Sequence, residues 1–261
     1  MKLAITGKGG VGKTTLAALL ARLYALEGRT VLAIDADPDA NLGSALGFTP
    51  ADLARIQPIA EMKDLIAERT GVQPGQVGGM FTLNPRVDDI PERFAGVREG
   101  IRLLVLGTIR QGGGGCFCPE SALLRNLVRH LLVGRPEVVI LDMEAGLEHL
   151  GRSTAAAVDA FVVVVEPGRR SIQTAHSVQQ LAADIGIHRV LVVGNKVRSP
   201  EDEEFIASSL SGMELLGCLP YTERAVQADL TGQAVYEVAP ELVEAARAIR
   251  SRLEAGLANQ P

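Results

Sequence analysis

Residues 7–15 read GKGGVGKTT, and no other stretch limits the possible folds so tightly. The glycines let the backbone turn sharply enough for its N–H groups to face one point, and a helix beginning there adds a field that favours an anion. The segment follows an apolar run, KLAIT at 2–6, and precedes KTTLAALLARLYALEG, which has helical patterning. Strand, GxxxxGK[ST] and helix in that order define a phosphate cradle. Gly7, Lys8, Gly9, Gly10, Val11 and Gly12 supply its loop; Lys13 is expected to reach the β-phosphate of ADP and the β- and γ-phosphates of ATP, Thr14 a Mg²⁺ ion, and Thr15 an oxygen nearer the α-phosphate.

Such a loop needs a parallel sheet around it. Further apolar runs recur at 30–35 (TVLAID), 101–107, 137–143, 160–166 and 189–197, separated by helical stretches. Continuous apolarity bounded by turn residues predicts strands buried on both faces, and the alternation predicts an α/β, doubly wound, mainly parallel sheet with helices on both sides. With 47% hydrophobic residues in 261, one domain over 1–261 is expected. Residues 48–100 break the rhythm with prolines and glycines and read as an insertion, with a short helix around AEMKDLIAERT and a hairpin near GGMFTLNPRV. The tail PELVEAARAIRSRLEAG sets Leu242, Ala246, Ile249 and Leu253 on one face of a helix expected to pack on the body. A net charge of −5 without a Lys/Arg block argues against nucleic acid. The lack of an apolar run of about eighteen residues argues against a membrane, and a cytoplasmic location is expected.

Mg²⁺ takes oxygen ligands, so a carboxylate at the end of a strand beside the loop is a natural partner; Asp142 is the next-to-last residue of EVVILDM. Lys8, immediately after the first glycine, makes the loop resemble the deviant Walker A motif of the MinD/ParA/nitrogenase iron protein class of dimeric ATPases. That resemblance implies a homodimer in which Lys8 reaches the partner's phosphate site. DADPDAN at 35–41 resembles the class's switch I, which implies that Asp37 orients or deprotonates the attacking water while Asn41 lies near the metal and γ-phosphate. LDMEAG at 141–146 resembles its switch II, with Asp142 holding Mg²⁺ through water and Gly146 sensing the γ-phosphate. VGNKV and CLPYTE resemble its adenine-contact segments and nominate Asn195 and Pro220.

GGGGCFCPE at 112–120 holds Cys116 and Cys118, two of only three cysteines. Buried packing suits a glycine-flanked loop poorly, and a disulfide across one residue would be strained. Metal ligation is the stronger reading, since thiolates suit soft ions, although a closed zinc site wants four ligands where one chain offers two. A two-fold axis through the loop would complete the count, and metal and nucleotide would then share one interface and alter each other's affinity.

Over nearly the whole chain, through GKGGVGKTT, DADPDANLGSALG, LNPRVDDIPERF, GGGGCFCPES, EAGLEHLGRSTA and VEPGRRSI, the sequence resembles the CooC family of nickel-insertion ATPases. The resemblance implies a homodimer that binds one Ni²⁺ or Zn²⁺ per dimer through the C-x-C pair and uses ATP to pass nickel to carbon monoxide dehydrogenase or acetyl-CoA synthase. Two other readings stay open: a positioning or partition ATPase, and an electron-transfer ATPase bridging an iron–sulfur cluster. His130, His149, His176 and His188 are scattered and read as surface or packing residues. Cys218 reads as a buried small residue near the base.

Overall fold

Each run of continuous apolarity becomes a strand. In the computed structural model, which describes residues 1–73, 80–107, 118–144, 157–187 and 189–258, these are β1 (Lys2–Gly7), β2 (Val31–Ala36), β3 (Gly96–Arg98), β4 (Ile101–Val105), β5 (Val138–Met143), β6 (Ala160–Val165), β7 (Val190–Val197) and β8 (Glu214–Pro220). They form one sheet in the order β3-β4-β2-β5-β1-β6-β7-β8. Only β3 runs antiparallel to its neighbour. Every residue of β1, β2, β5 and β6 is buried, the burial that continuous apolarity anticipates.

The helices are α1 (Lys13–Leu26), α2 (Leu42–Ala45), α3 (Pro50–Leu53), α4 (Lys63–Thr70), α5 (Ile90–Phe94), α6 (Pro119–Val133), α7 (Arg169–Asp184), α8 (Pro200–Ser209), α9 (Glu223–Thr231), α10 (Val235–Val238) and α11 (Pro240–Ala258). Successive strand residues point to opposite faces, so the sheet separates two cores. Ala4, Leu32, Ile34 and Leu141 meet α4, α6, α7 and α8 on one side. Leu3, Ile5, Ala33 and Ile140 meet α1, α2 and α11 on the other. The predicted stripe on α11 is buried as expected, with Leu242, Ala246, Ile249 and Leu253 all in the second core. Leu242, Ile249 and Leu253 each contribute roughly 1.5–3 kcal/mol by leaving water. On the same helix Arg250 is buried, pairs with Glu27 at 2.5 Å and donates to the Leu23 carbonyl at 3.3 Å, fastening α11 to α1.

Within 48–100 the expected short helix appears as a 3₁₀ turn, Ile59–Glu61, followed by α4. The hairpin expected near 78–87 does not: residues 80–87 contain no strand, and 78–79 lie outside the described residues. The hairpin sits farther on, between β3 and β4, where Glu99 (φ 48°) and Gly100 (φ 81°) form a two-residue left-handed turn. That geometry matches the twist of paired strands, and the Glu-Gly signal was masked by a strand of only three residues. The outer strands therefore differ. β3 is three residues long, whereas β8 breaks register with β7 at two points and is overlaid by α11, whose Arg252 donates to the Leu216 carbonyl at 3.0 Å.

Candidate functional site

β1 ends between β5 and β6, and the chain leaves it for α1 through residues 8–12. Ligands bind in such crevices at the carboxyl ends of parallel strands. Two close approaches explain the glycines. A Cβ on Gly7 would lie 2.4 Å from the Val164 carbonyl oxygen, and one on Gly12 would lie 2.0 Å from Asn195 Nδ2. Gly12 also has φ 95°, and its carbonyl accepts the first helical bond from Leu16 at 3.1 Å. No described residue accepts from the N–H groups of Gly12, Lys13, Thr14 or Thr15. Four free donors at a helix N-terminus form the concavity that a phosphate chain fills.

Below this concavity four expected residues converge. The Lys13 ammonium is buried and lies 3.6 Å from Asp37 Oδ2. The Thr14 hydroxyl donates to Asp142 Oδ2 at 2.7 Å. Asp142 is fully buried and its other oxygen, Oδ1, has no partner among the described residues. Burial raises the Asp142 carboxyl to about 6, while the Thr14 hydrogen bond and the Lys13 charge pull it back. An unpaired buried oxygen beside a hydroxyl is the donor set a hard divalent cation seeks, so Thr14 and Asp142 fit a Mg²⁺ ion.

Asp35, which opens the switch I stretch, was not singled out from sequence. It stands beside Asp142 in the β2–β5 register. Its two oxygens accept from the N–H groups of Leu42 at 2.9 Å and Asp37 at 3.2 Å, bracing the turn that carries Asp37. Burial pushes Asp35 up to about 7 against those bonds, with Asp142 adding to the rise. The signal was available, since Asp35 is itself a carboxylate at a strand end. Asp37 Oδ1 accepts from Asp39 N–H at 3.1 Å, and Asn41 is exposed just ahead of α2.

Lys8 is half-buried and makes no ion pair with a described residue. Asn195 is buried, with its amide donating 2.7 Å to the Val11 carbonyl and its Oδ1 accepting from Lys196 N–H at 2.8 Å. It therefore touches the phosphate loop directly. Pro220 ends β8 opposite Val197. Gly146 lies outside the described residues, as do His149 and His188. His176 Nε2 faces the Ser209 carbonyl at 3.1 Å and His130 is half-buried in the last turn of α6.

Of the cysteine pair, Cys116 lies outside the described residues. Cys118 is half-buried at the N-cap of α6, with Sγ 3.1 Å from Ser121 Oγ. No group of three metal-ligating side chains forms among the described residues. β4, which precedes the pair, is parallel to β2, so Cys118 opens its helix on the same rim of the sheet as the phosphate loop. Leu106 N–H, just past β4, donates to the Asp35 carbonyl at 2.8 Å. Cys218 packs on Gly194, and burial raises its thiol to about 11.

Comparison with known proteins gives a consistent set of likenesses. Residues 2–235 match the model of the CobQ/CobB/MinD/ParA nucleotide binding domain. The carbon monoxide dehydrogenase accessory protein CooC of Rhodospirillum rubrum is 48% identical over 97% of this chain and 96% of its own. An uncharacterised ATP-binding protein of Methanocaldococcus jannaschii is 45% identical over 90% of this chain and 91% of its own. Among solved structures, MinD in the Aquifex aeolicus MinC:MinD cell division complex superposes with a TM-score of 0.67 at 20% identity, covering 100% of this chain and 97% of that one. That last likeness concerns the fold, a doubly wound P-loop architecture.

Proposed function

This chain belongs to the CobQ/CobB/MinD/ParA nucleotide-binding family, as a CooC-type relative, and from that membership we propose that it is an ATP-hydrolysing homodimer that carries nickel to a nickel enzyme. The observation that carries the ATPase reading is the convergence of Lys13, Thr14, Asp37 and Asp142 below the four free N–H groups. Those donors and Lys13 would hold the phosphate chain. Thr14 and Asp142 would hold Mg²⁺, which neutralises phosphate charge when bound. Asp37 now rests against Lys13; phosphate oxygens would compete for that ammonium and free the carboxylate to orient a water. Lys8 would enter the partner's phosphate site, so that two chains are needed for turnover. Phosphoryl transfer to water is chiefly positioning and electrostatic stabilisation, which these groups supply without a covalent intermediate.

The cargo reading rests on Cys116 and Cys118. Each chain would give two thiolates to one Ni²⁺ or Zn²⁺ per dimer, the metal being passed on as substrate, with hydrolysis acting as a timer. The client is a nickel enzyme, carbon monoxide dehydrogenase or acetyl-CoA synthase. The test is an anaerobic titration of the reduced protein with Ni²⁺ and, separately, Zn²⁺, following thiolate-to-metal absorption and molecular mass, beside a Cys116→Ser/Cys118→Ser variant. One metal per two chains, with dimerisation on binding and loss of both in the variant, is the expected result. Absence of stoichiometric binding would return the chain to the nucleotide-switched ATPases without cargo.

A further inference from the structure

Two successive carbonyls of the phosphate loop are held by two successive residues at the end of β7. Asn195 Nδ2 donates to the Val11 carbonyl at 2.7 Å, and Lys196 Nζ donates to the Gly10 carbonyl at 2.6 Å. From this pairing we propose that Lys196, acting with Asn195, is a positioning residue that presets the loop for phosphate. The inference rests on the nucleotide-binding reading above and deepens it.

The argument starts from peptide planarity. A trans peptide unit points its C=O and its N–H in opposite directions. Holding the Gly10 carbonyl toward β7 therefore turns the Val11 N–H away from β7, and holding the Val11 carbonyl turns the Gly12 N–H likewise. In this structure Val11 N–H donates to the Lys8 carbonyl across the loop at 3.4 Å, and Gly12 N–H has no partner among the described residues. Asn195 thus aims the Gly12 donor into the concavity without occupying it, and Lys196 fixes the peptide before it, holding Val11 N–H in the turn that closes on Lys8. Gly12 completes the fit, because any Cβ there would collide with the Asn195 amide.

The backbone of Lys196 argues against an incidental surface contact. It has φ 58°, one of only two non-glycine residues with positive φ among those described, and a long side chain in that region is held there by its surroundings. Here the cause is visible. The β7–β8 register breaks between Gly194 and Val197, which lifts Lys196 out of the ladder, and its N–H turns back to Asn195 Oδ1 at 2.8 Å. A register break of this kind re-aims a side chain. The ammonium is steadied from a third strand, since Glu166, just past β6, places Oε2 3.4 Å from Nζ. The ends of β1, β6 and β7 are joined at one point by this lysine.

Three variants of the full chain test the proposal by calorimetric binding of Mg·ADP and by melting of the nucleotide-free protein. Lys196→Met should weaken ADP binding about fivefold, the scale of one hydrogen bond from a partly hydrated charge, and Lys196→Arg should restore it to within about twofold of the native value. Lys196→Gly, freed of the left-handed restraint, should melt at or above the native temperature yet bind ADP as weakly as the methionine variant. That opposition of sign separates positioning from mere stability. Native-like affinity in Lys196→Met, or a drop in melting temperature that tracks the lost affinity across all three variants, would overturn the inference while leaving the ATPase reading intact. Failure of the native protein to bind ADP would sink both.

Discussion

Asp35 and Asp142 stand opposite one another on adjacent parallel strands, both without exposed surface. Two carboxylates so placed resist ionisation, and burial raises them to about 7 and about 6 respectively. Folded values above the usual unfolded value of about 4 mean that the folded protein holds protons the unfolded chain releases. Stability from this pair is therefore fully present below about pH 4 and is lost as pH rises through about 6 to 7. The melting temperature of nucleotide-free protein in a metal chelator should fall by several degrees across that window. Scanning calorimetry from pH 5 to 8 checks this, and a flat or rising profile would contradict it.

Asp142→Asn separates stability from turnover. Removing one buried charge should hold or raise the melting temperature at pH 8, while ATP hydrolysis falls about a hundredfold or more through loss of charge stabilisation at the phosphates. A phosphate-release assay run beside thermal melts reads both, and a variant that keeps native turnover would remove Asp142 from the site.

Lys8 and Lys13 should part in behaviour. Lys13 is buried against Asp37 whereas Lys8 is half-buried and makes no ion pair among the described residues. Lys8→Ala should abolish most turnover and retain nucleotide binding, whereas Lys13→Ala should lose binding as well. Equilibrium binding of labelled ADP together with steady-state hydrolysis distinguishes them. Undiminished turnover in Lys8→Ala would count against the two-chain mechanism.

Gly12→Ala meets two penalties at once, a left-handed backbone and the Asn195 amide 2.0 Å from the new methyl. A destabilisation of about 1–3 kcal/mol is expected from the backbone alone, with ADP binding reduced at least tenfold as the loop shifts. Urea unfolding and ADP titration test it; a variant with native stability and affinity would mean that the loop relaxes freely.

Much of this arrangement could be read in advance because it depends on short-range chemistry. Glycine spacing announced the loop, and continuous apolarity announced strands buried on both faces. β3 escaped notice because three residues carry no periodicity. Asp35 carries the strand-end signal, but nothing in an Asp-Ala-Asp string says that it is the carboxylate that braces Asp37 and Leu42 by accepting their N–H groups. Lys196 was invisible too, since its importance comes from a register break between β7 and β8 that depends on tertiary pairing. Resemblance nominates Asn195 for the base, and its contact with the Val11 carbonyl emerges only when strand ends are brought together.

The blunted outer strands bear on how two copies would meet in the proposed homodimer. With three residues on one side and a broken ladder beneath a helix on the other, neither edge offers a long row of free backbone groups for another chain to zip onto. A continuous sheet across two subunits is hard to dissolve, and a machine that opens and closes with each ATP would stall in it. Contact confined to the rim of strand ends is held by side chains, loops and bound ligands, all of which exchange quickly. On the homodimeric reading proposed above, reversibility would in that sense be written into the margins of the sheet, far from the phosphate loop.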